Sequence, residues 1–376
     1  MADEMILTIA GDIFFECEGQ ITQEYTLIKK DHHFDWLKKV APIFRQSDFC
    51  QGNLEGAVSD SLAPVPGKSG ESNVLRMRLV VLDALKEVGM NVVTLANNHA
   101  MDFGDEGMLQ TLDNLDKAGI TRFGGGRDIV DARKPAIVER NGVKIAFLGY
   151  CSVYTPGTAP AGVDKPGIVT IPVRTSYEVP SGIFSNPGGL PKVITTANQP
   201  DVEKMQADVR KAREQADIVV VNFHWGLTPR GSWPTAPVPV KDRPFYVLNY
   251  QEDLGRAAID CGADLVVGHH PHRLQGVELY KGKLICYSLG NLTMGYSLGA
   301  NGGENALIVK GLIDRKTRRF SQVKLIPIRV PDDTMEPAPV TSDEMKGFVD
   351  ELNAVSKAYG TQFSLDDNEI SVRSRQ

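Results

Sequence analysis

Short apolar runs that alternate with helix-like stripes constrain the fold of this chain more than any other feature. Residues 5–10 and 218–221 are apolar and rich in β-branched side chains, which is typical of buried strands. Residues 74–88 and 108–118 carry apolar side chains every three or four positions, the spacing of a helix with one buried face. This alternation predicts an α/β layered fold, and the strand-like runs that follow Gly268 predict a second sheet packed on the first.

Two segments depart from the alternation. Residues 151–200 and 228–244 are rich in Pro together with Gly, Ser and Thr, the composition of loops. We expect them to be insertions that flank the functional site and affect substrate choice, because loops on a rigid scaffold commonly carry function. With these insertions the main domain is predicted to span residues 1–330. Residues 331–376 are predicted to add one C-terminal helix and a polar, mobile tail.

The composition narrows the functional classes. The net charge is −6, which disfavours a nucleic-acid partner held by phosphate contacts. The five cysteines are odd in number and lack CxxC spacing, which disfavours a disulfide framework and a zinc–thiolate site. There is no apolar run of about 18 residues and no visible signal peptide, so we expect a cytoplasmic chain without a membrane span.

Short polar motifs follow the strand-like runs. In open α/β sheets, ligands bind at the carboxyl ends of the strands, and five of the seven histidines follow such a run. Imidazole mixed with carboxylate and amide oxygens suits Mn, Fe, Zn, Mg or Ca, and spacing alone does not choose among these metals. The motifs therefore predict one or two divalent ions at a shared site. The candidate residues are Asp12, Asn53, Glu55, Asn97, Asn98, His99, His224, His269, His270, His272 and Asn291.

Each motif taken singly has an ordinary structural interpretation. Asn53 could be a turn residue, and His224 could be a core histidine next to Trp225. The pair His270 and His272 is the most specific signal, because alternate residues of an extended segment can point at one ion. A metal site becomes the better explanation when all the motifs are considered together.

The ordered set of motifs resembles a known family. It is similar to the CapA-type capsule or poly-γ-glutamate biosynthesis proteins, which themselves resemble the calcineurin-like metallophosphatases, over roughly residues 5–330. The resemblance implies a four-layer α/β/β/α sandwich with a two-metal site at the edge of the central sheets. The motifs are Gly11-Asp12, Asn53-Leu54-Glu55, Asn97-Asn98-His99, His224-Trp225-Gly226, Gly268-His269-His270-Pro271-His272 and Ser288-Leu289-Gly290-Asn291.

The resemblance also implies roles for individual residues. His99 is expected to transfer a proton beside the metal. Asp102 is expected to orient its ring or to cap a helix, and His269 is the alternative proton carrier or ligand. The expected metal ligands are Asp12, Glu55, Asn98, His224, His270 and His272. The expected substrate-binding residues are Asn53, Asn97, Trp225, Arg230 and Asn291.

Further features of the loops and motifs bear on this expectation. Arg230, Lys241 and Arg243 lie in the second Pro-rich segment and could hold an anionic group, although a solvated loop explains them equally well. Phe14 stands where the superfamily usually has a histidine ligand, so the first metal would have one ligand fewer. Leu227-Thr228 follow His-Trp-Gly where many relatives have Glu-Tyr, which changes the expected substrate pocket.

Three functions are compatible with the sequence. The first is a metal-dependent enzyme that acts on a peptide-like or poly-γ-glutamate-like substrate by hydrolysis or acyl transfer. The second is a peptide epimerase, because a metal-polarised carbonyl acidifies the adjacent Cα–H. The third is a non-enzymatic assembly factor for capsule polymer synthesis or export. The sequence identifies neither the substrate, nor the metal, nor the oligomeric state.

Overall fold

The structure is a computed structural model and describes residues 4–15, 33–60, 74–154, 159–179, 182, 191–228, 247–294, 304–366 and 368–374. Its helices are α1 (Ala41–Arg45), α2 (Val80–Val88), α3 (Gly104–Ala118), α4 (Ile129–Arg133), α5 (Gln199–Arg213), α6 (Asn249–Asp260) and α7 (Ser342–Ser356). Short 3-10 turns span His33–Trp36 and Lys357–Tyr359.

The strands fall into two groups along the chain. The strands before residue 200 are β1 (Glu4–Ile13), β2 (Phe49–Leu54), β3 (Ala57–Val58), β4 (Arg76–Met77), β5 (Val92–Thr94), β6 (Thr121–Phe123), β7 (Gly125–Gly126), β8 (Ala136–Arg140), β9 (Val143–Cys151), β10 (Gly167–Ile168), β11 (Val173–Glu178) and β12 (Lys192–Ala197). The later strands are β13 (Ile218–His224), β14 (Leu265–His269), β15 (Val277–Tyr280), β16 (Lys283–Cys286), β17 (Asn291–Thr293), β18 (Glu304–Asp314), β19 (Arg319–Val330), β20 (Ala338–Pro339), β21 (Thr361–Asp366) and β22 (Glu369–Ser374).

Two large sheets form the centre of the molecule. One has the order β21-β22-β19-β18-β1-β2-β5-β6, with β17 beside β1 and β20 beside β19. The other has the order β15-β16-β14-β13-β9-β8. Within them, β1, β2, β5 and β6 run parallel to one another, as do β9, β13, β14 and β16. The carboxyl ends of parallel strands therefore share one edge in each sheet.

Alternating side chains on each strand divide the core into layers. In β13, Val220 packs between the two sheets, whereas Val219 and Val221 pack against α5 and α6. Helices α1, α2 and α3 cover the outer face of the other sheet. The central strands β13 and β14 are buried along their whole length because both faces of their sheet are covered. The architecture is thus the expected four-layer α/β/β/α sandwich.

The helix predictions were right in kind and less accurate in extent. The stripe at residues 74–88 becomes strand β4 followed by α2, which begins only at Val80. The expected α3 ends where predicted, because Gly119 adopts a left-handed φ of 72° that terminates it. The described stretch just before β2 contains only a 3-10 turn at His33–Trp36 and the five-residue α1. None of the helices in the described part of the chain is long and apolar enough to cross a bilayer.

The first predicted insertion is only partly a loop. Ala159, Ile168 and Ile171 have almost no exposed surface. Ala159 and Ile168 belong to the core beneath α1, α2 and α3, and Ile171 belongs to the core beneath α5 and α6. Part of residues 159–171 therefore packs in the core, and the role of residues 151–200 as an insertion that flanks the site stays a prediction. The hairpin β11–β12 is the exposed part of this segment. The second insertion, apart from Thr228, lies outside the described residues.

The C-terminal tail is ordered, so the prediction of a polar, mobile tail was wrong. Strands β21 and β22 form an antiparallel hairpin, and β22 pairs with β19 to extend the larger sheet. Ile370 is fully buried between the sheets, next to Phe348 and Leu352 of α7. The expected C-terminal helix is present as α7, and the backbone N–H of its N-cap residue Thr341 donates to Glu344 Oε2 at 3.3 Å. The division into a domain of residues 1–330 and an added C-terminal segment stays a prediction.

Replacing Gly268 by Ala should destabilise the protein. A Cβ at this position would overlap the backbone oxygen of Tyr287 and lie 2.5 Å from Trp225 Nε1, so β14 would have to move. We expect the free energy of unfolding, measured by urea denaturation, to fall by about 2 kcal/mol or more. Gly347→Ala is the matched control, because a Cβ there meets nothing within 4 Å on the exposed side of α7. The control should raise stability by about 0.5–1 kcal/mol through helix propensity. Equal effects in the two variants would contradict the close approach of β14.

Candidate metal centre

The predicted polar residues converge where the two sheets meet at their carboxyl ends. Asp12 and Asn53 lie at the ends of β1 and β2, and His224 and His269 lie at the ends of β13 and β14. The facing sheets bring them into contact: Asn53 Nδ2 lies 3.4 Å from His224 Nδ1, and Asp12 Oδ1 lies 3.2 Å from His269 Nδ1. The cluster is thus built from both central sheets.

Asp12 is the most heavily contacted member of the cluster. Its Oδ1 accepts a hydrogen bond from Asn53 Nδ2 at 2.8 Å, and its Oδ2 accepts one from the His270 backbone N–H at 3.1 Å. His272 Nδ1 lies 3.3 Å from the same Oδ2. Burial alone would favour the neutral acid, but the hydrogen bonds and charges of His269 and His272 hold the pKa of Asp12 well below its usual value. Asp12 is therefore an ionised, buried carboxylate.

Glu55 is also fully buried, yet neither carboxylate oxygen has a hydrogen-bond partner in the described structure. Its Oε1 lies 3.7 Å from His224 Nε2 and 3.7 Å from His272 Nε2. Burial raises the pKa of Glu55 to about 8. A buried carboxylate without donors is costly, and a cation between it and the imidazoles would satisfy it.

The histidines of the cluster have contrasting electrostatics. Burial and the charge of His272 lower the pKa of His270 to about 3, and burial lowers the pKa of His224 well below its usual value. Burial also opposes protonation of His272, but Glu55 and Asp12 outweigh it and raise its pKa to about 10. His272 Nδ1 lies 2.9 Å from Asn291 Oδ1 and donates to it, so Nε2 is the nitrogen left for a metal. Metal binding there would displace a proton.

The donor atoms form two overlapping groups that fit divalent ions. One group is Glu55, His224 and His270, the other is Asp12, Glu55 and His272, and the ligand atoms of each lie within 4.8 Å of one another. Glu55 belongs to both groups and could bridge two ions. Carboxylate oxygens mixed with neutral imidazoles suit divalent transition metals, so the residues present fit the expected cofactor.

Two further observations agree with this fit. Asn98 Oδ1 lies 2.7 Å from His224 Nε2, which lets it join the first group. His270 Nδ1 is buried and has no hydrogen-bond partner among the described residues.

The backbone of the histidine loop is strained. His270 has a φ of 95° and His272 a φ of 56°, conformations that residues with a Cβ rarely adopt. Such strain persists only where the surroundings enforce it, and it is common at ligand-binding sites. Here it turns both imidazoles toward the carboxylates.

His99 lies at the rim of the cluster with 12% of its side chain exposed. Its Nδ1 lies 2.7 Å from Asp102 Oδ2, and that oxygen also accepts the Leu75 backbone N–H at 2.8 Å. Asp102 is fully buried and does not cap α3, whose N-cap is Phe103 without a side-chain cap. Of the two roles considered for Asp102, the orientation of the His99 ring is the one compatible with this geometry.

The residues predicted to bind substrate are mostly buried. Asn53, Asn97 and Asn291 each have 1% exposure or less and contact members of the cluster or one another. Trp225 has no exposed surface, donates its Nε1–H to the Tyr287 backbone oxygen and stacks on Phe223 at 4.4 Å. Contact of Trp225 with a substrate does not fit this position. The three asparagines are better placed to hold the ligands than to meet a substrate.

The remaining predicted positions are less central. His269 is buried. Its Nε2 lies 3.1 Å from Asn222 Oδ1 and its Nδ1 lies 3.2 Å from Asp12 Oδ1, so the imidazole connects Asn222 to Asp12. Phe14 is buried in the core beneath α1, α2 and α3, and its side chain has no atom that could bind a metal ion. Leu227 is 62% exposed close to His224. Arg230, Lys241 and Arg243 lie outside the described residues.

Sequence reasoning missed two buried polar residues beneath the cluster. Asn222 precedes His224 by two positions and Gln51 precedes Asn53 by two, so each lies one pleat lower on the same strand face. Neither Gln51 amide atom nor Asn222 Nδ2 has a hydrogen-bond partner among the described residues. A single polar residue inside an apolar run was the available signal.

Curated proteins with similar sequences agree with the expected resemblance. The capsule biosynthesis protein CapA of Bacillus anthracis is 28% identical over 372 residues, which cover 99% of this chain and 78% of that protein. The PGA biosynthesis protein CapA of Bacillus subtilis (strain 168) is 32% identical over 347 residues, or 92% of this chain and 76% of that protein. Among solved structures, calcineurin-like phosphoesterase YfkN from Bacillus subtilis is 12% identical and covers 93% of this chain and 97% of its own, with a TM-score of 0.43.

The family assignment rests on a match along most of the chain. The family model described as bacterial capsule synthesis protein PGA_cap matches residues 6–296, a range that contains every candidate ligand. The chain therefore belongs to the PGA_cap family of bacterial capsule synthesis proteins.

Proposed function

We propose that this chain is a metal-dependent enzyme that acts on a peptide-like or poly-γ-glutamate-like substrate by metal-assisted hydrolysis or acyl transfer. The main support is the buried Glu55 carboxylate. Neither of its oxygens has a donor among the described residues, and Oε1 lies 3.7 Å from Nε2 of both His224 and His272. The substrate class is supported by the similarity to a protein named for PGA biosynthesis.

The chain's own residues divide the work. Asp12, Glu55, Asn98, His224, His270 and His272 would hold one or two divalent ions. Such ions supply Lewis-acid chemistry, since they polarise a carbonyl or phosphoryl oxygen and acidify water. Asn53 and Asn291 fix the orientation of Asp12 and His272 through hydrogen bonds.

His99 is the candidate proton carrier. Asp102 engages its Nδ1, which leaves Nε2 to donate or accept a proton at a substrate oxygen or nitrogen. Neither described ligand group includes His99. A nitrogen outside the metal shell can exchange protons during the reaction, whereas a ligated one cannot.

The metal assignment predicts the effect of a double substitution. The variant His270→Ala/His272→Ala should lose divalent-ion binding in titration calorimetry, because each of the two ligand groups loses one imidazole. His99→Ala is the matched control and should bind ions like the unmodified chain. Unchanged stoichiometry in the double variant would contradict the ligand assignment.

The role of His99 predicts a separation of binding from turnover. His99→Ala should keep its metal content while its turnover falls by roughly a hundredfold or more, the usual scale for a lost general acid–base. Asp102→Asn should also slow turnover without loss of metal, because the ring would lose its orienting carboxylate. Metal loss in His99→Ala would make His99 a ligand, and full activity would make its role structural.

A substrate assay identifies the reaction type. Poly-γ-glutamate incubated with the metal-loaded protein in D2O should give shorter chains or transfer products, detectable by mass spectrometry. Deuterium at Cα without cleavage would indicate epimerisation instead. A protein that purifies without metal and leaves the polymer unchanged would favour the assembly role.

A further inference from the structure

The hairpin β11–β12 stands apart from the two large sheets. Within the described residues β11 pairs only with β12, so its other backbone edge has no strand beside it. Every residue of β11 from Arg174 to Glu178 is exposed. An open edge of this length presents N–H and C=O groups to any strand that can align with it.

The hairpin is anchored through β12, so β11 is the outer strand. Thr195 is buried, its Oγ1 accepts the Tyr250 backbone N–H at 3.4 Å, and its own N–H donates to Asn249 Oδ1 at 3.5 Å. These contacts join β12 to the start of α6. The free edge of β11 is therefore held in a defined position.

Exposed apolar side chains accompany this edge. Tyr177 is 60% exposed, Val179 55% and Val193 47%, and Tyr177 lies directly opposite Val193 in the hairpin register. Alternate residues of a strand share a face, so the three side chains form one apolar patch. A patch beside an open edge is typical of a surface that another strand covers.

We propose that β11 pairs with β11 of a second copy of this chain, antiparallel and centred on Ser176, to form a continuous four-stranded sheet. In this register Arg174 of each copy lies opposite Glu178 of the other, which gives two ion pairs. Val173 lies opposite Val179, and Thr175 lies opposite Tyr177. The contact is isologous, as expected for a symmetric dimer.

The charges select this register over its neighbours. A two-fold axis perpendicular to the sheet must pass midway between the two copies of one residue, because directly opposed side chains share a face. Centring on Thr175 would place Arg174 opposite Ser176, and centring on Tyr177 would place Glu178 opposite Ser176. Only the centre at Ser176 pairs both charges.

The hairpin's own ion pair fits the same arrangement. Glu178 Oε2 lies 3.9 Å from Lys192 Nζ across the hairpin. In the dimer Glu178 would lie between Lys192 of its own chain and Arg174 of the second copy. One carboxylate between two cations is a favourable arrangement.

Charge reversal tests the proposal with the full chain in sedimentation-velocity measurements over a dilution series. The unmodified chain should dimerise. Arg174→Glu and Glu178→Arg should each raise the dissociation constant by about tenfold or more, because the two-fold axis repeats every like-charge contact. An equimolar mixture of the two variants should recover dimers, since each reversed side chain then meets an opposite charge.

Glu139→Arg is the matched control. Glu139 belongs to β8, which is also an edge strand, and its Oε2 lies 3.7 Å from Lys144 Nζ in a similar exposed pair. This variant should dimerise like the unmodified chain, and circular dichroism should show that all variants are folded. A monomeric unmodified chain, dimers insensitive to either reversal, or a mixture that stays monomeric would each overturn the proposal.

Discussion

Two ionisable carboxylates buried at the meeting point of two sheets are the constraint on which this structure depends. Asp12 and Glu55 have no exposed surface, and buried charge must be compensated by donors or cations. For Asp12 the compensation comes from Asn53, the histidine loop and the facing sheet. Glu55 lacks such donors among the described residues, and this difference makes the cluster a candidate site for cations. The strained φ values of His270 and His272 serve the same compensation of buried charge, because they bring imidazoles to the carboxylates.

Much of the site could be predicted because parallel strands end at a common edge. The candidate ligands follow strand-like runs, and the fold brings those strand ends together. The orientation of neighbouring residues was harder to foresee. Trp225 follows His224 directly, and successive strand residues face opposite ways, so one reaches the cluster while the other lies in the core. The placement of Asn222 and Gln51 beneath the cluster depends on the packing of two sheets, which the local sequence does not encode.

The C-terminal tail shows a different limit of prediction. Its polar composition suggested mobility, but Phe363, Leu365, Ile370 and Val372 lie at strand spacing on either side of a turn. Such a weakly apolar hairpin is marginal alone and needs a neighbouring strand to pair with. Strand β19 provides that neighbour, and α7 covers the resulting core. Tertiary context therefore decided the structure of this segment.

The position of β1 in the larger sheet has a consequence for the order of folding. Strand β1 lies between β2 and β18, and Asp12 Oδ2 accepts a hydrogen bond from the backbone N–H of His270, 258 residues later. Contacts of such long sequence separation form late, because a long loop must close first. A ribosome-bound chain therefore carries Asp12 and its neighbour Asn53 long before the histidine loop that contacts Asp12 has been made. A complete ligand set marks a chain whose two sheets have already docked.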